Sequence, residues 1–324
     1  MRGRLAPSPT GRLHLGNLSS LLLAALQVRA AKGTLIYRVE DLDPPRCVEG
    51  AELEQQRDLA WLGVEWDEGA GCDAARALPF RQSERRDHYL QALEALGAHV
   101  FPCFCSRRDI RDVLSAPHSA HEPGMEYPGT CHNLAGGAER AAVEPHALRC
   151  LFEAEITHSD GIWGPMRADL RRRPGAFVVR RRDGLFAYQL AVAVDDAAMG
   201  VTDVLRGVDL LDSTPRQLAI HDALGSPRPR TWHVPLLVDA RGERLSKRAQ
   251  SVARDGLEHA GWTPATLRGA LATLWGWADT LESLTVADLT EALDLTTLRV
   301  REIRVPDSFF DGPSAFAAWL GQRR

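Results

Sequence analysis

The order of elements in the first hundred residues constrains this chain most. Arg4 to Ala6 reads as a short strand and runs into Pro7-Ser8-Pro9-Thr10-Gly11, a turn sequence that no helix interior would hold. Leu18 to Ala31 then reads as a helix, with Asn17 as its expected N-cap and Gly33 just past its end. Leu35 to Val39 has the β-branched and aromatic content of a strand. Glu49 to Leu62 and Ser83 to Leu96 have helical periodicity, stopped by Gly63 and Gly97. This βαβα run predicts a parallel sheet covered by helices.

The middle of the chain breaks the pattern. Val100 to Cys105, Leu148 to Phe152 and Ala176 to Arg180 read as short strands, separated by a Gly/Pro/His-rich loop from Ala116 to Gly137. The alternation then returns, with helices at Tyr188–Met199 and Thr214–Leu224 and strands at Val201–Leu205 and His233–Val238. From about Gly256 the pattern is helical. The expected organisation is an α/β, Rossmann-like parallel sheet in two halves, 1–100 and 188–250. An α+β insertion at 101–187 splits it, and a short helical region at 251–324 follows.

Composition removes several classes. At 324 residues, 44% hydrophobic and 25% charged, the chain is long enough for one large or two medium domains and is not disordered. The longest apolar run, Leu21 to Leu26, is far too short to span a bilayer, and residues 1–7 have no signal-peptide h-region. Six unevenly spaced cysteines in a long chain suit a reduced, cytoplasmic protein. A net charge of −4 excludes a uniformly basic nucleic-acid binder, though not a local basic patch. The runs Arg171–Arg173 and Arg180–Arg182 are candidates for such a patch, or simply solvated faces. Among the 39 basic residues only Lys32 and Lys247 are lysines. In so arginine-biased a chain, a lysine marks a position that wants a compact, mobile ammonium.

Two segments carry phosphate chemistry. His14-Leu15-Gly16-Asn17 lies where a strand–turn meets a helix, so backbone N–H groups and the positive end of the helix dipole are available to an anion. Gly16 allows close approach of a nucleotide, and His14 can donate to a phosphate developing charge. Arg244-Leu245-Ser246-Lys247-Arg248 places three cations and a hydroxyl on a loop, which suits a leaving pyrophosphate.

Together these segments resemble the HIGH and KMSKS signatures of class I aminoacyl-tRNA synthetases. Asn17 stands for the last histidine of the first. Arg244, Leu245 and Arg248 depart from the second, whereas Lys247 matches its second lysine. Arg4–Gly11, Arg38–Asp43, Tyr188–Asp196 and Val204–Leu211 resemble corresponding motifs of glutamyl-tRNA synthetases. The short form, without an anticodon-binding domain, is similar to the glutamyl-Q tRNA(Asp) synthetases. The resemblance implies ATP-dependent, tRNA-independent activation of L-glutamate and its transfer to queuosine in the anticodon loop of tRNA(Asp). The alternatives are charging of a tRNA 3′ end by a truncated glutamyl-tRNA synthetase, or a catalytically silent paralogue that binds only. It further implies a glutamate pocket of Arg4, Ser8, Glu40, Tyr188 and Arg206. ATP, carried with Mg²⁺, would meet His14, Gly16, Asn17, Ser246 and Lys247, with His14 and Lys247 catalytic. The pocket's two arginines and one carboxylate complement the two carboxylates and one ammonium of free glutamate. A monomer is expected.

Cys103, Cys105 and Cys131 fall within 29 residues, and a Cys-x-Cys pair can place two thiolates on one metal. One structural Zn²⁺ per chain wants a fourth ligand. By chemistry alone this is His118, His121 or His132; the resemblance implies Tyr127. The plain alternative is three reduced thiols without metal. Trp275 and Trp277 read as packing residues.

Overall fold

A computed structural model describes residues 1–72, 79–106, 108–109, 127, 129–171, 175–245 and 253–322. Strands β1 (Arg2–Leu5), β2 (Thr34–Tyr37) and β3 (Glu68–Gly69) pair in parallel in the order β1-β2-β3. A second sheet has the order β7-β6-β10-β9, made of β6 (Glu155–Asp160), β7 (Gly164–Asp169), β9 (Asp203–Gly207) and β10 (Arg230–Val234). Here β6, β10 and β9 are parallel and β7 is antiparallel. The sheets abut at β1 and β9. Thr202 N–H donates to the Arg2 carbonyl at 2.9 Å, and Arg2 N–H donates to Thr202 Oγ1 at 2.8 Å. From β1 the strand order runs outward through β2, and from β9 it runs the other way through β10. In open α/β sheets ligands bind beyond the carboxyl ends of the strands at such a reversal. Arg4 and Arg206 stand near those ends.

Helix α1 (Leu15–Ala30) crosses this junction, touching β1, β2 and β9 on one side and the C-terminal helices on the other. Its leucines at 15, 18, 22, 23 and 26 are at most 1% exposed. A helix covered all round needs apolar residues all round, which explains its weak amphipathicity. It starts three residues earlier than the sequence reading. His14, not Asn17, is the N-cap, and Asn17 is the third helical residue. Helices α2 (Ala51–Trp61) and α3 (Arg86–Leu96) complete the first half. Lys32 is exposed in the turn after α1, away from the cavity described below.

The insertion carries an antiparallel sheet of β4 (Val100–Cys103), β5 (Ala147–Cys150) and β8 (Phe177–Arg180), with α4 (Gly137–Ala141) beside it. Most of the loop expected over 116–137 lies outside the described residues. The β6–β7 hairpin was not legible. Only Ile156 and Asp160 of β6 are buried, so its inward face has no apolar alternation to read. Helices α5 (Tyr188–Ala198) and α6 (Thr214–Ala223) follow. The strand expected to run from His233 to Val238 breaks at Pro235, giving β10 and β11 (Leu236–Val238).

The C-terminal region contains α7 (Arg254–His259), α8 (Pro264–Trp275), α9 (Val286–Glu291) and α10 (Pro313–Gly321). It is not wholly helical: β12 (Glu302–Arg304) pairs in parallel with β11. Trp262, Phe309 and Phe316 form its aromatic core, and buried Trp275 donates to Ser19 Oγ of α1 at 3.2 Å. Among the described residues, no helix is long and apolar enough to cross a membrane.

Candidate active site

A cavity of about 490 Å³ opens at the carboxyl ends of β1, β9 and β10. Arg4, Ser8, His14, Gly16, Asn17, Glu40, Tyr188 and Arg206 all line it. The structure thus brings together the described residues expected to meet glutamate and ATP. Ser246 and Lys247 lie outside the described residues. Arg244, at the start of that loop, lines the cavity and pairs with Asp209 at 3.1 Å.

The turn before α1 fixes the state of His14. Its Nδ1 accepts from the N–H groups of Gly16 at 3.1 Å and Asn17 at 3.3 Å. Asn17 Oδ1 accepts from His14 N–H in return, so Asn17 closes a capping box. Burial, with Arg244 adding to it, holds the imidazole below its ordinary pKa. A neutral ring whose Nδ1 accepts carries its proton on Nε2, as a donor. Gly16 gives the ring its room: a Cβ on it would lie 3.1 Å from His14 Cε1 and 3.2 Å from Nδ1, so the imidazole would have to give by a few tenths of an ångström.

The floor of the cavity is ionic. Arg38 is wholly buried and bridges two carboxylates, Asp196 Oδ1 at 2.6 Å and Glu40 Oε1 at 3.0 Å. Arg4 Nε lies 3.5 Å from the same Asp196 oxygen, and its Nη1 donates to the Leu205 carbonyl at 3.1 Å. Burial pushes Glu40 up, against the pull of Arg38 and Arg4. For Asp196 the same two guanidinium groups overcome burial and hold the carboxyl low.

Arg206 is different. Its guanidinium donates to Gln217 Oε1 at 2.7 Å, Thr214 Oγ1 at 2.8 Å, His233 Nε2 at 3.0 Å and Tyr188 Oη at 3.3 Å. All four acceptors are neutral. Among the described residues it has no carboxylate within 4.0 Å, although it is only 6% exposed. In this buried cluster the guanidinium groups of Arg4, Arg38 and Arg206 therefore face two carboxylates, Glu40 and Asp196, leaving the cluster one cation in excess. A ligand with two carboxylates and one ammonium carries the charge that offsets it.

Sequence reasoning left Arg38, Asp196, Thr214, Gln217, His233 and Asp160 without a role. The first two sit inside quoted motifs and were within reach. The adjacent acids divide their work along α5: Asp196 accepts from Arg38 beneath the cavity, while Asp195 accepts from Arg85, Gln82 and Tyr89. His233 and Asp160 had no signal, since nothing in a sequence pairs two residues 73 positions apart.

The sulfurs of Cys103, Cys105 and Cys131 lie within 4.8 Å of one another. Tyr127 Oη accepts from Cys131 N–H at 2.6 Å, beside the thiols of Cys103 and Cys131. Of the histidines weighed, His118 and His121 lie outside the described residues, and the His132 ring packs edge-on against Phe101. Burial and the Cys131 hydrogen bond push the Cys105 thiol up to about 12. Three thiols and a phenol oxygen around one point make a donor set that fits a tetrahedral metal, which would deprotonate the thiols. Arg172 and Arg173 of the first arginine run lie outside the described residues, and the described arginines of both runs are engaged. Arg171 pairs with Asp169, Arg181 with Asp183 and Asp43, and Arg182 donates to the Phe104 carbonyl.

Residues 1–304 match the family described as tRNA synthetases class I (E and Q), catalytic domain. A glutamyl-Q tRNA(Asp) synthetase of Nitratidesulfovibrio vulgaris is 43% identical over 96% of this chain and 97% of its own length. One of Symbiobacterium thermophilum is 44% identical over 94% and 95%. Among solved structures, a glutamate tRNA ligase from Elizabethkingia meningosepticum superposes with a TM-score of 0.81 at 25% identity, covering all of this chain and 69% of that one. The cavity between β1 and β9, with His14 on one wall and the Arg4–Arg38–Glu40–Asp196 cluster as its floor, is thus set in a shared catalytic fold, and the chain belongs to the class I tRNA synthetases for glutamate and glutamine, ligases of the aminoacyl-tRNA synthetase type.

Proposed function

We propose that this chain activates L-glutamate with ATP, without needing tRNA, and transfers it to queuosine in the anticodon loop of tRNA(Asp). The observation that carries the first half is the buried, unneutralised Arg206 opposite a balanced ion cluster. Glutamate brings a net charge of −1 to a buried cluster with one cation in excess, whereas glutamine leaves that charge unmatched. The acceptor is supported by the names of the relatives that match along nearly their whole length.

In the first step a carboxylate oxygen bonds to the α-phosphorus of ATP and the bond to pyrophosphate breaks. No protein nucleophile is needed, so the chain's contribution is positioning and charge stabilisation. Neutral His14 offers Nε2–H to the phosphates beside the N-terminus of α1. Lys247 and Ser246 are assigned to the leaving pyrophosphate, and Mg²⁺ arrives with the nucleotide. In the second step a hydroxyl of the queuosine diol attacks the acyl carbon and AMP leaves. Such a base is reached when the loop splays it out, as single-stranded RNA allows. Cys103, Cys105, Cys131 and Tyr127 are assigned to one structural zinc.

Two assays test this. Glutamate-dependent exchange of labelled pyrophosphate into ATP is expected in the absence of tRNA. A queuosine-containing anticodon stem-loop of tRNA(Asp) is expected to accept labelled glutamate. If that stem-loop stays unlabelled while tRNA(Glu) is charged at its 3′ end, the acceptor assignment is wrong.

A further inference from the structure

We infer that Asp160 and His233 are positioning residues that aim Arg206 at a substrate carboxylate without neutralising it. Behind Arg206 lies a buried relay. Arg206 Nε donates to His233 Nε2 at 3.0 Å, and His233 Nδ1 meets Asp160 Oδ2 at 2.7 Å. His233 is 0% exposed and Asp160 2%. Since Nε2 accepts from a guanidinium that cannot give up its proton, the imidazole is neutral and its proton is on Nδ1, facing the carboxylate. The tautomer is dictated from both sides.

The arrangement solves a specific problem. A carboxylate in direct contact with Arg206 would orient it well, but would also satisfy the charge that the ligand must meet. A neutral imidazole passes on the orientation and keeps the anion one ring away. Asp160 is fixed in turn. Its Oδ1 accepts from the N–H groups of Ile162 and Trp163, both at 3.0 Å, and lies 3.4 Å from that of His233. The turn between β6 and β7 thus aims the carboxylate, which aims His233, which aims Arg206. This assigns a role to a hairpin whose first strand buries only Ile156 and Asp160.

The inference rests on the glutamate reading, and its test separates the two. In Asp160→Asn, the backbone N–H groups at the Oδ1 position hold the amide oxygen there. The amide NH₂ then faces His233 Nδ1, so the imidazole proton moves to Nε2 and opposes Arg206 Nε–H. Glutamate KM in pyrophosphate exchange is expected to rise about 10- to 100-fold, the cost of a misplaced binding group, with a smaller change in kcat. His233→Asn keeps a partner for Asp160 but cannot reach Arg206, and should show the same rise. His233→Gln places an amide oxygen near the lost Nε2 and should restore much of the affinity. Discrimination against one of two amides, glutamine or isoglutamine, should collapse in Asp160→Asn and His233→Asn, which also tells which carboxylate Arg206 holds. Long-range ¹H–¹⁵N spectra should show the Nδ1–H tautomer of His233 in the parent, assigned by its loss in His233→Gln, and a changed tautomer in Asp160→Asn. That readout needs no activity. If Asp160→Asn does not fold, the His233→Asn and His233→Gln pair decides. Equal glutamate KM in the parent and both His233 variants overturns the inference, as does an Nε2–H tautomer in the parent. An Nδ1–H tautomer with no glutamate-dependent exchange overturns only the glutamate reading.

Discussion

Arg12 offers a sharp test of how the turn before α1 is held. Its guanidinium clamps Asp58 of α2 through Nη2 at 2.7 Å and Nε at 3.1 Å. It also reaches Asp255 at the start of α7, at 2.9 and 3.2 Å, and Glu54 of α2 at 3.5 Å. The acids differ in exposure: the Asp58 side chain is fully buried, whereas that of Asp255 is 71% exposed. Arg12→Ala removes the partner of a buried charge, which costs about 3–5 kcal/mol. Arg12 is itself 29% exposed, so water can reach the site and the lower end applies. Asp255→Ala breaks a solvent-screened pair and should cost less than about 1 kcal/mol. Arg12→Met with Asp58→Leu removes the buried charge along with its partner, and should cost clearly less than Arg12→Ala alone. Urea unfolding of the four proteins at neutral pH gives the comparison. Raising the salt should shrink the Asp255 effect and leave the Arg12 effect largely intact. If Arg12→Ala and Asp255→Ala cost the same small amount, Arg12 is not holding a buried charge and the reasoning fails.

Further outcomes follow from the same geometry. Gly16→Ala should push the His14 ring off its cap and lower pyrophosphate exchange about 10- to 100-fold, the cost of a misplaced group, with little change in glutamate KM; unchanged exchange would free His14 from its assigned role. Lys247→Ala should slow adenylate formation by about 2–4 kcal/mol of transition-state stabilisation while glutamate KM barely moves, and a folded variant with the parental rate would end its assignment to pyrophosphate. Metal analysis should find one zinc per chain, lost in Cys103→Ser and Cys131→Ser; three freely titrating thiols in a fully stable, metal-free protein would count against the site. Burial is the leading cause that holds His14, His158, His221 and His233 below their ordinary pKa. The unfolded chain therefore binds protons that the folded one refuses, so their contribution is complete above about pH 6.5 and is lost as the pH falls below it. Urea midpoints should drop between pH 7.5 and 5.5, and a flat profile would mean these rings are not held neutral.

The sequence made legible what local chemistry dictates. Arg4, Ser8, Glu40, Tyr188 and Arg206 were singled out by the resemblance of their motifs, and the structure gathers them on one cavity. The α/β alternation was readable because strands and helices differ in apolar period. The N-cap was misread because Asn is usually a cap by its own side chain, whereas here its amide accepts from the N-cap histidine's backbone N–H. The hairpin β6–β7 and strand β12 were missed because neither announces itself by an apolar stripe. One faces inward with a carboxylate, and the other is a three-residue strand held by backbone pairing.

The least legible part of the site is also the part that separates binding charge from structural charge. Arg38 and Arg206 are both buried arginines on strands or just past them, and composition treats them alike. Arg38 bridges Asp196 and Glu40 and is electrostatically complete. Arg206 is held as firmly, but by an amide, two hydroxyls and an imidazole. Burying a cation without an anion costs several kcal/mol that hydrogen bonds to neutral groups only partly offset. A fold optimised for stability alone would place an acid beside Arg206, and Asp160 sits one imidazole away from that position. The unmatched charge is therefore a property the fold holds against its own stability, and under the proposed function a ligand carboxylate would complete it. Glutamate binding should accordingly stabilise the protein by an amount set by its concentration relative to Kd. In Arg206→Met, which removes the charge and keeps an apolar stem, that stabilisation should vanish while the ligand-free protein loses little. A thermal melt with and without glutamate measures both, and an Arg206→Met protein that glutamate still stabilises would show that the carboxylate is met elsewhere.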